Sequence, residues 1–272
     1  MARLAGYGGD VYVGDLVVQN CDVAWTEQVD LDVTLTLDNT DYKVGSGSNK
    51  MLQGAGLANG DILASQVIAL PTLAAYAMLF CWAKSSVNIA TADDYRLLLD
   101  NQAMCANPEV ECSLPVLVAN VWKFCMCPVV TGSFAAATLP ISVGLELHAN
   151  DPGPATMWID YITAGRQVAG IRSWSLDVTA SVQDVSAYSD GQDKVFAVTT
   201  KAWSGSFEGF KDGAPLAIGT VVGLELQESA MATQMWRGSA IITNIRPAVS
   251  VDGLVGYAYD FQGIHALEWP TA

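Results

Sequence analysis

Basic residues are scarce in this chain. Thirteen Lys and Arg stand against 28 Asp and Glu, a net charge of −15, which argues against sequence-specific nucleic-acid binding, since that needs basic patches to neutralise phosphates. Histidine is scarcer still. Neither His148 nor His265 has a Ser, Cys or acid at the spacing of a catalytic triad. No apolar run suits a bilayer crossing: the longest, residues 67–83, contains Pro71 and Thr72 and reads as a strand, a turn at Pro71 and a second strand over 78–82. Met1-Ala-Arg3 opens without a secretory leader, so export is not expected. The six cysteines, at 21, 81, 105, 112, 125 and 127, are too sparse for a disulfide scaffold and read mostly as small buried hydrophobes. Cys105 and Cys112, flanking Asn107-Pro108, are placed to close a loop under oxidising conditions. Cys125-Met-Cys127 points both thiols to one strand face, with nothing at zinc-ligand spacing.

Other motifs fail on inspection. Gly45-Ser-Gly-Ser-Asn-Lys50 lacks the Gly-Lys-Ser/Thr ending of a phosphate loop. Asp30, Asp32, Asp38 and Asp41 miss the spacing of an EF-hand and read as a solvated face. No catalytic, cofactor or metal site is expected, and the chain is not read as an enzyme.

What is present is sheet. In the last third, Trp174, Leu176 and Val178 alternate with Ser175, Asp177 and Thr179, and Trp203, Gly205 and Phe207 alternate with Ser204, Ser206 and Glu208. Val222, Leu224 and Leu226 alternate with Gly223 and Glu225, and the same period runs from Val255 to Gln262. Period two over four runs predicts half-buried antiparallel strands, separated by turns at Ser189-Asp-Gly191, Lys211-Asp-Gly213 and Asp252-Gly253. With only 15% charged residues, a lone subunit has difficulty hiding its apolar surface, whereas a subunit of a large assembly buries it against neighbours.

These residues carry a family resemblance. Val168-Ala-Gly-Ile-Arg-Ser-Trp-Ser-Leu-Asp177, Gln183-Asp-Val-Ser186, Lys201-Ala-Trp-Ser-Gly-Ser-Phe-Glu-Gly-Phe-Lys-Asp212, Trp236-Arg-Gly-Ser-Ala-Ile-Ile242, Val249-Ser-Val-Asp-Gly-Leu254 and Tyr257-Ala-Tyr-Asp-Phe-Gln-Gly263 resemble, in that order, the tail tube proteins of long-tailed bacteriophages. The opening residues 1–14 are similar to that family's arm and first strand. In a plain tube protein Tyr12-Val-Gly14 would run almost directly into Val168. The intervening residues therefore read as a domain inserted at a surface loop: residues 1–14 and 166–272 form the tube domain and 15–165 the insert, with the junction anywhere from Gly14 to Tyr42.

Within the insert, strands are expected at 95–99, 122–126, 141–147 and 157–162, broken at Gly132-Ser133 and Asn150-Asp-Pro-Gly-Pro154. Leu79-Phe-Cys-Trp-Ala-Lys84, Leu114-Pro-Val-Leu-Val-Ala-Asn-Val-Trp-Lys123 and Ile159-Asp-Tyr-Ile162 are similar in order to the jelly-roll modules found among carbohydrate-binding domains. That resemblance implies a fold first and sugar binding only second. Trp25, Trp82, Trp122 and Trp158 are the residues that would stack on sugar rings, although Trp82 and Trp122 sit in apolar strands and read as core. Asp160 lies where jelly rolls sometimes hold a structural calcium. The fold class expected is thus all-β: a tail-tube β-sandwich or barrel with one short helix near Asp212-Gly-Ala-Pro-Leu-Ala-Ile218, capped by Asp212, plus an inserted jelly-roll sandwich.

The tube resemblance implies hexameric rings that stack into a hollow tail tube, with contacts to other tail proteins and genomic DNA passing through the lumen without specific binding. It implies a location in the virion tail, after assembly in the host cytoplasm. Asp184, Tyr188, Asp190, Gly191, Asp193 and Phe196 fall in the long loop that reaches a neighbouring subunit in this family. Arg3 and Tyr7 fall in an N-terminal arm expected to order on assembly. Residues 14–165 hold five basic and sixteen acidic residues, a net of −11, and 166–272 hold seven and eleven, a net of −4. Acidity suits a wall past which DNA slides, and it suits an insert projecting outward. The alternatives are an adhesin that binds host surface glycans and a capsid decoration protein.

Overall fold

The computed structural model describes residues 9–28, 32–137, 139–186, 194–211, 213–229, 234–249 and 253–270. The chain is all-β and divides into two compact units, Tyr12–Gln167 and a second made of Met1–Val11 with Val168–Ala272.

Tyr12–Gln167 is a β-sandwich built from β1 (Val11–Gln19), β2 (Thr26–Glu27), β3 (Val33–Asp38), β4 (Ser48–Gln53), β5 (Asp61–Val67), β6 (Met78–Ser85), β7 (Tyr95–Asp100), β8 (Val110–Ser113), β9 (Lys123–Gly132), β10 (Ser142–Leu147) and β11 (Ala155–Gln167). One sheet runs β3-β4-β11-β6-β9, with β1 pairing the far end of β11; the other runs β2-β5-β10-β7-β8. Strand β9 joins them, pairing β6 over residues 123–128 and β8 over 129–132. Leu79, Cys81 and Ala83 of β6 and Met157 and Ile159 of β11 meet Leu97, Leu99, Val143 and Leu145 of the second sheet in one buried cluster. β6 is buried along its whole length because its other face, through Phe80 and Trp82, packs with Met78 and Phe124 in a second cluster. Pro71 falls between β5 and β6, where a missing N–H removes no ladder bond.

The second unit is a five-stranded antiparallel sheet in the order β12-β13-β16-β15-β14, with β12 (Ile171–Asp184), β13 (Phe196–Phe210), β14 (Val221–Gln227), β15 (Met235–Val249) and β16 (Val255–Glu268). It is strongly curled: the Trp174 indole on β12, at one end of this order, donates to Gln227 O on β14, at the other, at 3.1 Å. The enclosed face carries Trp203, Phe207, Tyr259 and Phe261, all buried, with ring centroids 5.0–6.2 Å apart. Ser204 and Ser206 are only partly buried and Glu208 is exposed, as the period-two pattern requires.

Three expectations are corrected. The half-buried reading fails in β14, whose residues 222–227 are all buried: on the face opposite Leu224 and Leu226, Glu225 accepts from its cross-strand partner Arg237 Nε at 2.6 Å and from Gln227 Nε2 at 2.7 Å. The short helix does not form. Gly213 sits at φ +68°, outside the helical region, and the residues after it form bends and turns only. Asp212 lies outside the described residues, and the helical structure among those described is a 3-10 turn at Ala103–Cys105 in the other unit. Finally, no disulfide joins Cys105 to Cys112, nor any other pair of the six cysteines. Cys105 Sγ lies 3.3 Å from Ser142 Oγ, and burial pushes the thiols of Cys105 and Cys112 up to about 12.

Candidate functional site

In the Val168–Ala272 unit the β12–β13 hairpin exposes several large apolar side chains. Its register runs from Ile171↔Gly209 to Asp184↔Phe196, while β13 pairs β16 only from Ser204 to Phe210. Residues 196–203 therefore have β12 as their sheet partner, and the hairpin extends past the rest of the sheet as a two-stranded ribbon. Such ribbons are marginal alone in water. The residues on it are nonetheless apolar: Val182 and its cross-strand partner Val198 are 61% and 60% exposed, and Phe196 is 57% exposed. Val185 N donates to Val195 O at 2.9 Å, which carries the ladder one step further, and both valines are exposed.

At the base of the connecting turn, Asp184 accepts from Ser186 Oγ at 2.6 Å and Ser186 N at 3.1 Å, and pairs with Lys194 at 3.1 Å. These hydrogen bonds, the Ser186 hydroxyl first, hold its carboxyl below the ordinary range and stiffen the ribbon end. Asp184 and Phe196 are thus cross-strand neighbours at the hairpin end. Tyr188, Asp190, Gly191 and Asp193, and likewise Arg3 and Tyr7, lie outside the described residues. The exposed valines at 182, 185, 195 and 198 were missed in the sequence, although their signal was there: apolar residues on both faces of a run flanked by charge.

The sugar-stacking tryptophans sit differently. Trp25 and Trp82 are buried. Trp122 Nε1 donates to Asp41 Oδ1 at 2.6 Å, and Trp158 Nε1 to Asp38 Oδ2 at 3.1 Å. Lys84 pairs with Asp41 and lies 4.0 Å from the Trp158 ring centroid, with Lys50 5.5 Å from the same ring. The indole edges and faces a sugar would use are engaged by the protein itself. Asp38 is held down at about 2, chiefly by the Thr40 hydroxyl.

The Gly/Ser turn at residues 45–47 is also occupied from within. Asp22 Oδ1 accepts from Ser46 N at 2.6 Å, Gly47 N at 3.1 Å and Ser46 Oγ at 3.0 Å. Gly45 takes φ +78°, and a Cβ there would lie 2.5 Å from Asp22 Oδ1, so the turn closes around a carboxylate. Asp160, fully buried, accepts from Lys43 N at 2.6 Å and Val44 N at 2.9 Å. Burial pushes its carboxyl up to about 6. The N–H groups aimed at Asp160 suit a carboxylate and repel a cation, and among the described residues no group of three or more His, Cys, Asp or Glu is placed to hold a metal. His148 Nδ1 lies 3.4 Å from Glu146, and Trp203 Nε1 donates to the backbone O of His265 at 3.1 Å.

No family model matches the chain, and no curated protein matches it. Among solved structures it is similar to a chain from the tail of an empty GTA particle computed with helical refinement and C6 symmetry. The identity is 21% and the TM-score 0.32, over 42% of this chain and 87% of that one. A superposition this loose assigns neither a fold nor a role. Among the described residues no helix is long and apolar enough to cross a membrane.

Proposed function

We propose that the chain is a non-catalytic structural subunit of a virion tail, in which Met1–Val11 with Val168–Ala272 builds the tail tube and Tyr12–Gln167 is a jelly-roll accessory domain on the tube's outside. The observation that carries this reading is the exposed apolar β12–β13 hairpin, a surface without use in a lone soluble chain but suited to subunit contact. The ordered motif series from Val168 to Gly263, similar to tail tube proteins, supports the same role. Copies would close into six-membered rings and stack, joining other tail proteins, with the genome passing through a lumen whose acidity discourages phosphate from sticking. Six copies of a domain of roughly 150 residues would fill that lumen, which is why the insert is placed outside. The subunit would assemble in the host cytoplasm and reside in the virion.

Electron microscopy of the purified full-length chain is expected to show rings or tubes. Isolated monomers at high concentration would overturn the reading. The adhesin alternative is disfavoured by the lysines that already occupy the Trp158 ring.

A further inference from the structure

The Val168–Ala272 sheet has a slot where its middle strand runs out of side chains. β16 lies between β13 and β15, and on the face opposite the buried Tyr259 it carries only Gly256 and Ala258. Gly256 is flanked by Phe210 and Ala248, and Ala258 by Glu208 and Arg246. Long side chains beside a nearly bare floor leave a groove of about 420 Å³, which Arg172 and Leu254 also line. Phe210 and Leu254 stand in this groove 44% and 55% exposed, so its apolar surface is not used by the fold.

The charges around the groove are unequally engaged. Arg246 gives Nη1 and Nη2 to Asp260, and Glu208 accepts from Ser173 Oγ at 3.2 Å. Arg172 is exposed, at the register shift between Ile171 and Ser173, and its guanidinium lies 5.5 Å over the Phe210 ring. Arg96, Arg166, Arg237 and Arg246 each pair with a carboxylate, whereas Arg172 pairs with none among the described residues. Stacking on the ring orients the guanidinium and uses none of its N–H donors, which suit a carboxylate in a two-pronged grip. The groove therefore presents an apolar slot with one fixed, unanswered cation at its side. A cationic ligand would meet two guanidiniums there, and a neutral one would leave Arg172 unmatched.

We propose that this groove is a binding site for a small aromatic carboxylate, with the ring over Gly256 against Phe210 and Leu254 and the carboxylate on Arg172. An apolar concavity with a few convergent polar groups is the usual form of a small-ligand site. The site stands apart from the tail tube reading, so its test bears on the groove alone.

The test is calorimetric titration of the full-length chain with 1-naphthoate, and with 1-naphthamide as the uncharged analogue of the same shape. Saturable binding of the naphthoate is expected, with the amide weaker by about tenfold or more, since a hydrogen-bonded charge pair is replaced by a neutral contact. Arg172→Gln should weaken the naphthoate by a similar factor and leave the amide unchanged. Because Arg172 is exposed, this variant should keep the wild-type denaturation midpoint. Ala258→Phe, which fills the slot from its floor, should abolish binding of both. Absence of saturable naphthoate binding would overturn the proposal, as would equal affinity for the two probes. Undiminished naphthoate binding by either variant, or an Arg172→Gln loss shared equally by the amide, would overturn it as well.

Discussion

The two units of this chain cover their sheets differently, while each exposes large apolar side chains, Val67, Val118 and Val23 in the first and Val249, Val182 and Val198 in the second. In Tyr12–Gln167 the apolar side chains turn inward on both faces of the first sheet: Leu79, Cys81 and Ala83 enter the sandwich, while Phe80 and Trp82 are covered by a second cluster. Some of its buried polar groups answer one another, as where Asn49 accepts from Trp25 N at 2.7 Å and donates to Val23 O at 3.1 Å, or where Tyr95 OH donates to Gln53 at 2.8 Å. In the Val168–Ala272 unit one face of a curled sheet is buried, and the hairpin at its end presents Val182, Phe196 and Val198 to solvent. The first unit draws its stability from its own interior. The second buries one face of its sheet and leaves the apolar side chains of its hairpin in solvent.

The sharpest break in this comparison is Trp82→Ala. Trp82 is 2% exposed and stacks edge-on to Phe124 at 5.4 Å, so truncation leaves a large cavity. The expected loss is about 3–5 kcal/mol, confined to the unfolding of Tyr12–Gln167. Calorimetry with two resolved transitions would show it; a shift in the other transition would mean the units do not melt separately.

A smaller loss is expected from Gly263→Ala in the other unit. A Cβ at Gly263 would lie 2.0 Å from Trp203 Cε2 and 2.1 Å from Cδ2, inside a packed core. Overpacking of this kind costs about 1–3 kcal/mol, read by urea denaturation. A neutral result would mean that the Trp203 ring is free to shift.

These two positions also show what the sequence reveals and what it hides. The strands around Trp203 and Phe207 are legible because a half-buried sheet prints its burial as period two. β14 misleads, since Glu225 reads as an outward polar residue until Arg237, twelve positions along, turns it into an internal pair. The helix near Pro215 is suggested by a local cap pattern that the backbone does not follow. Asp160 is harder still: its environment comes from the backbone of Lys43 and Val44, more than a hundred residues away, and no local pattern carries that. The hairpin valines are legible as strand, but their exposure is not, because strand propensity is the same inside and out.

Asp160 gives a pH test of the inward-facing unit. Its folded carboxyl, at about 6, is raised above the ordinary 3.8 by burial. The folded state therefore holds the proton more tightly than the unfolded chain. The stability this contributes is present below about pH 4, falls as pH rises through the window to about 6, and is constant above it. Asp160→Asn removes the titration while keeping an oxygen for the Lys43 and Val44 amides. Between pH 4.5 and 7 the wild-type chain should lose roughly 2 kcal/mol relative to the variant. Parallel denaturation curves at both pH values check it, and an unchanged difference would rule out a buried, protonatable Asp160.

The smallest effect on folding is expected where the surface looks most hydrophobic. Val198→Thr keeps the β-branch and the strand geometry, and the side chain is 60% exposed opposite an equally exposed Val182. Nothing buried is lost, so the monomer's stability should move by no more than about 0.5 kcal/mol. Association is another matter, because the methyl replaced by a hydroxyl would be desolvated in a contact with a second copy. The critical concentration for assembly, followed by light scattering, should therefore rise several-fold while the denaturation midpoint stays in place. If the stability falls by more than about 1 kcal/mol, the ribbon end is packed against its own unit and the contrast between the two regions fails at this residue.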